Sequence, residues 1–124
     1  MELYDYFKAL LDRSEKPIVI CDLDYRILYL NNKASEEYRF VKKGAHTGSS
    51  IRATMSEEII SKIDISVEWF KEDKNNNKVF CYHDKNDNSD IYIKALRDSE
   101  GELIGFYNLV LSRMTETGKP YDLD

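Results

Sequence analysis

The chain has 124 residues, a formal net charge of −5 and a sequence pI near 5.1, with 33% charged and 42% hydrophobic residues. That length and composition support one folded domain with its own core, not a disordered chain. The acidic balance, with Lys42 and Lys43 the only adjacent basic pair, argues against nucleic acid as a partner. No apolar run approaches the roughly 18 residues of a membrane helix, and the N-terminus has no signal-peptide core, so no membrane span and a cytoplasmic location are expected.

From Glu2 to Arg13, Leu3, Phe7, Leu10 and Leu11 recur at helical spacing and predict an amphipathic helix ending before Pro17. The runs Ile18–Cys21 and Ile27–Leu30 are β-rich and flank the polar turn Asp22–Arg26, which predicts a hairpin. Asn31 and Asn32 then open a short helix, because an asparagine side chain accepts a hydrogen bond from a free first-turn N–H. Gly44–Ser50 is loop by composition. From Ser56 to Asp73 a capping serine, acids in the first turn and one face of Ile59, Ile60, Ile63, Val67 and Phe70 predict a longer helix. Three β-like runs close the chain, KVFCYHD, SDIYIKALRD and ELIGFYNLVLSR, separated by Asn/Asp-rich and Asp-Ser-Glu-Gly turns. The residues after Arg113 read as an extended tail.

Asp84, Asn86, Asn88 and Asp90 are spaced like the first ligands of an EF-hand calcium loop. That loop needs glycine at its sixth position and a bidentate acid at its twelfth, where this sequence has Ser89 and Ala95. The flanks alternate like strands, so the stretch reads as a turn whose Asx residues bond to their own backbone. Cys21, Cys81 and His83 could contribute to a zinc site. They lack a fourth ligand unless His46 joins, and the favoured reading has both cysteines as small buried hydrophobes. No metal is assigned, and a Cys21–Cys81 disulfide is disfavoured in the reducing compartment expected.

Two strands, a helical middle and three strands, with PIVICDLDYRILYLN feeding a helix at Asn31 and the run RDSEGELIGF at Arg97–Phe106, resemble the PAS domain family from about Pro17 to Leu111. The resemblance implies an α+β fold: a five-stranded antiparallel sheet with helices on one face enclosing a small cavity, preceded by an N-terminal helix. It divides the chain into a cap or dimerisation helix (1–16), a PAS domain (17–112) and a tail (113–124). It further implies a sensory or interaction module, not a catalyst. Nothing pairs a nucleophile with a base, since His46 falls in a loop and His83 beside a turn. The cofactor stays open. The region IRATMSEEII lacks the reactive cysteine of the family's flavin photosensors, and residues 56–77 lack the axial histidine of its haem binders.

Matched to the family through Asp22 and Arg97, strand alternation turns Val19, Cys21, Ile91, Ile93, Ile104, Phe106, Asn108 and Val110 toward the helices, joined by Val79 and Cys81. These, apart from Val79, are the candidate cavity residues, and their character suits a small, largely apolar ligand. Asn108 is a polar exception, with either a protein partner or a ligand to satisfy its amide. Phe80, Tyr82, Tyr92, Leu96, Tyr107 and Leu109 face outward. With Leu3, Phe7 and Leu10 they suggest a homodimer interface, the helix covering part of the sheet. Two readings follow: a sensor acting in trans on a protein effector, or a ligand-free dimerisation scaffold.

Overall fold

In the computed structural model, residues 1–38 and 46–121 are described; Lys42, Lys43, the first residues of the expected Gly44–Ser50 loop and the end of the tail lie outside them. The elements are α1 (Leu3–Asp12), β1 (Val19–Asp22), β2 (Ile27–Leu30), α2 (Asn32–Tyr38), a 3₁₀ turn at Ile51–Ala53, α3 (Glu57–Glu72), β3 (Lys78–Asp84), β4 (Ser89–Arg97) and β5 (Leu103–Ser112). The strands form one antiparallel sheet in the order β2-β1-β5-β4-β3. This is the α+β arrangement expected, with the addition of the 3₁₀ turn, which sequence reading placed in no element.

The helix α3 starts where Ser56 accepts a hydrogen bond from Ile59 N–H, and it buries Ile60, Ile63, Ser66, Val67 and Phe70. The apolar residues pack on Val19, Cys21, Ile27, Cys81, Ile91, Ile93 and Phe106 from the sheet, forming a single core. Two groups staple α3 to the strands. Lys62 Nζ donates to the Cys81 carbonyl at 3.0 Å. At the other end, the Arg97 guanidinium donates to the carbonyls of Phe70 (2.7 Å), Asn76 (3.1 Å), Asp73 (3.2 Å) and Gly101 (3.2 Å), and to Asn77 Oδ1 (2.6 Å). A cation at a helix C-terminus satisfies the free carbonyls and opposes the helix dipole.

Asn31, wholly buried, spends its amide four ways. Its Oδ1 accepts from Ile18 N–H and Ala34 N–H, and its Nδ2 donates to the carbonyls of Leu11 and Lys16. The residue thus caps α2 and ties α1 and the α1–β1 connection to the end of β2. Gly105 permits the close approach of β5 to β1, since a Cβ there would collide with the Cys21 carbonyl oxygen.

Asn31→Ala is expected to cost about 2 to 4 kcal/mol by urea unfolding, because several buried main-chain groups lose partners together. Asn31→Asp should do no better, since a carboxylate cannot donate to the Leu11 and Lys16 carbonyls. For Arg97→Lys, a loss of about 2 kcal/mol is expected despite the retained charge, because an ammonium cannot reproduce the planar five-bond fan.

Candidate functional site

A cavity of about 80 Å³ lies between the sheet and the layer formed by the 3₁₀ turn and α3. Val19 and Cys21 border it from β1, Ile91 and Ile93 from β4, Phe106 and Asn108 from β5, and Cys81 from β3, as strand alternation requires. Ile51, Met55, Ile59 and Ile63 close the opposite side. Among the described residues that line it, none is an acid, a lysine, an arginine or a histidine. Burial pushes the Cys21 thiol up to about 12 and raises Cys81 as well, so both thiols stay protonated and uncharged at neutral pH.

The Asn108 amide is held by the protein itself: Oδ1 accepts from Val19 N–H at 2.7 Å and Nδ2 donates to the Pro17 carbonyl at 2.9 Å. These bonds extend the β1–β5 pairing, whose last matched pair is Ile20 with Tyr107.

Three assignments made by strict alternation need correction. Ile104 is 53% exposed and does not face the helices. Leu96 pairs with Gly105 and Arg97 with Leu103, so Ile104 is an extra residue in a bulge, and Leu103 packs against the core instead. Tyr82, expected on the outer face, borders the cavity, because Phe80 pairs with Tyr92 and Tyr82 with Ile91, which makes Cys81 the extra residue and reverses the phase beyond it. Val110 packs against the core but borders a smaller cleft with Pro17, Glu37 and Tyr82 rather than the cavity.

The end of the cavity near Phe106 is backed by a group that periodicity does not reveal. Tyr25 is a left-handed residue (φ 65°) in the β1–β2 turn, a turn closed by Asp22 Oδ1 accepting from Asp24 N–H and Arg26 N–H. Its ring is buried edge-on against Phe106 at 5.2 Å, and its hydroxyl donates to Asp64 Oδ1 of α3 at 2.5 Å. Arg52 of the 3₁₀ turn donates to both Asp64 oxygens and lies over the Tyr25 ring at 4.0 Å. Burial, then the Asp64 hydrogen bond, raises the Tyr25 phenol, while the bonds from Tyr25 and Arg52 lower the Asp64 carboxyl.

The thiols do not come together. Cys21 in β1 and Cys81 in β3 have β5 and β4 between them, so three inter-strand steps of about 4.8 Å separate their strands, beyond the roughly 7 Å limit for a disulfide. His83 is engaged elsewhere, its Nδ1 at 2.9 Å from Asp90 Oδ1, and Arg113 grips the same carboxylate from the end of β5. The Asp84–Ser89 stretch is a turn. Asp84 Oδ1 accepts from Asn86 N–H, and Asp87 Oδ2 accepts from Lys16 Nζ and Ser89 Oγ. No cluster of metal-ligating side chains occurs among the described residues.

Of the interface candidates, Tyr92 and Tyr107 border the cavity along with Tyr82, while Leu3, Phe7, Leu10 and Phe80 are exposed. Leu3, Phe7 and Leu10 are 64%, 56% and 70% exposed, and α1 buries none of its residues. Lys8 of α1 reaches the Tyr29 ring at the β2 edge, and Phe80 and Ile104 remain exposed. Phe80 stacks with Tyr92 at 5.4 Å; Tyr107 and Leu109 are half-buried.

No family model matches the sequence, and no curated protein matches it. Solved structures do. A C-terminal domain from Streptococcus mutans is similar with a TM-score of 0.67 at 17% identity, over 88% of this chain and 84% of that one. The PAS domain of a protein from Colwellia psychrerythraea follows with a TM-score of 0.62 at 14% identity, over 90% and 97% of the two chains. The chain has the PAS fold. A sensory box sensor histidine kinase structure from Vibrio cholerae is also similar, with a TM-score of 0.54 at 14% identity over 86% of each chain. In this PAS fold the cavity, at about 80 Å³, is well below the roughly 300 Å³ at which pockets for drug-sized ligands begin.

The Asp64 network predicts a pH dependence. A carboxyl held below its ordinary 3.8 contributes stability above that value and loses it as pH falls through the lowered one. Acid unfolding of Asp64→Asn should therefore be flatter than that of the wild type below about pH 4. Tyr25→Phe should lose about 1 to 3 kcal/mol at neutral pH.

Proposed function

We propose that this PAS-fold chain is a sensory or signal-transduction module, in which occupancy of the cavity by a small, largely apolar ligand changes how the outer surfaces bind a second copy or a protein effector. The observation that carries this reading is the cavity between α3 and the sheet, whose described lining carries no charged side chain. The likeness to a sensor histidine kinase structure supports it. Residues 17–112 would be the sensing unit and residues 1–16 the dimerisation element. Leu3, Phe7 and Leu10 would make the main contact with the second copy, with Tyr92, Tyr107 and Leu109 beside them. The reading gives the chain no reaction of its own. Among the described residues no helix is long and apolar enough to cross a membrane.

A second reading, a dimerisation scaffold that binds nothing, is favoured by the bonding of Asn108 to Val19 and Pro17, which leaves the amide less to offer a ligand. Native mass spectrometry of the purified protein, before and after denaturing extraction, separates the two. A retained small molecule is expected for the sensor; a ligand-free dimer, with no compound raising thermal stability, would favour the scaffold. In analytical ultracentrifugation, Phe7→Glu should weaken the dimer by about tenfold or more, as loss of an apolar anchor does. A wild-type monomer at micromolar concentration would remove the dimer from the proposal.

A further inference from the structure

The cavity has a size and chemistry that narrow what it takes. Its volume is about 80 Å³, roughly half that of a 150 Å³ apolar cavity in another protein that accepts benzene. In proportion, the space suits about three heavy atoms. Among the described residues no charged side chain lines it, so an ion entering would be desolvated without compensation. Water needs two or more polar partners, whereas the Asn108 amide is already engaged and the two thiols are weak hydrogen-bonding groups.

Among the described aliphatic residues lining the cavity, Ile51, Ile59 and Ile63 opposite the sheet are β-branched, and only Met55 is not. Val19, Ile91 and Ile93 are β-branched and sit in hydrogen-bonded strands, where side-chain rotation is restricted. Met55, partly buried between the 3₁₀ turn and α3, is unbranched and polarisable, a residue type that yields.

We infer that the cavity takes neutral, apolar molecules of about three heavy atoms, and that Met55 sets the upper limit of their size. This deepens the ligand-binding reading above and rests on it. Met55→Ala removes Cγ, Sδ and Cε, opening space for a six-membered ring, while the rigid strand wall stays in place.

The test is a methyl NMR titration of the full chain, labelled at isoleucine and methionine, with xenon, benzene and acetate. In the wild type, xenon should shift Ile63, Ile91 and Ile93 methyls saturably, and benzene and acetate should not. Met55→Ala should bind benzene about tenfold or more tighter than the wild type; Met55→Val serves the same comparison if the alanine variant does not fold. Cys81→Leu, which fills the space, should lose the xenon shifts with its spectrum still dispersed. Wild type binding benzene as well as the Met55 variants would overturn the size limit and leave the cavity reading standing. Saturable acetate shifts at these methyls would overturn the neutral class. No shift with any probe in either folded protein would overturn both this inference and the ligand-binding reading.

Discussion

The placement of the short segment from Lys16 to Val19 governs the rest of the structure, because two asparagine amides grip it from the two strands that flank β1. Asn31, at the end of β2, takes Ile18 N–H and the Lys16 carbonyl; Asn108, in β5, takes Val19 N–H and the Pro17 carbonyl. Pro17 offers no N–H of its own, so side chains replace ladder bonds where the strand begins. The same Asn31 amide caps α2 and holds the Leu11 carbonyl at the end of α1. Entry into the sheet, the start of the helical layer and the tether of α1 therefore share one buried side chain, and a buried amide of this kind is costly unless fully bonded.

That economy explains the asymmetry between the two faces. The inner face is fixed by apolar burial and by the Lys62 and Arg97 staples, which hold α3 against β3 and against the β4–β5 turn. The N-terminal helix has no comparable anchorage: it buries no residue, and its ties to the domain include the Leu11 carbonyl and the contact of Lys8 with Tyr29. An isolated helix of this length is marginal in water, so its apolar residues gain most from a surface that covers them.

Much of this architecture was legible in the sequence because periodicity and capping speak directly about local structure. Ser56 and the isoleucines behind it mark α3, and Asn31 marks the start of α2, within a residue or two of where they fall. What misled was phase. A bulge adds a residue without an obvious mark in composition, so counting by twos from Arg97 put Ile104 inside and counting through Cys81 put Tyr82 outside. Tyr25 was hidden for another reason. A polar turn predicts exposure, whereas the ring is buried by its packing on Phe106 and by the bond of its hydroxyl to Asp64, 39 positions later. Ser66 likewise sits among the buried residues of α3 because its hydroxyl returns to the Lys62 carbonyl, which lets a polar side chain occupy an apolar stripe.

These features also set where the cavity can yield. Swelling toward the sheet would stretch ladders in β4 and β5, the most extensively paired strands, and would cost hydrogen bonds cooperatively. Lifting α3 as a body would strain Lys62 on Cys81 and the Arg97 fan together. The 3₁₀ turn is tied to α3 through Arg52 and Asp64, and that same pair bears on Tyr25, which packs against Phe106. Ile51 N–H also donates to the Tyr25 carbonyl, so the Arg52–Asp64–Tyr25 cluster connects the 3₁₀ turn and α3 to the β1–β2 turn. Tyr25 holds a left-handed backbone conformation there that a non-glycine residue adopts at a cost.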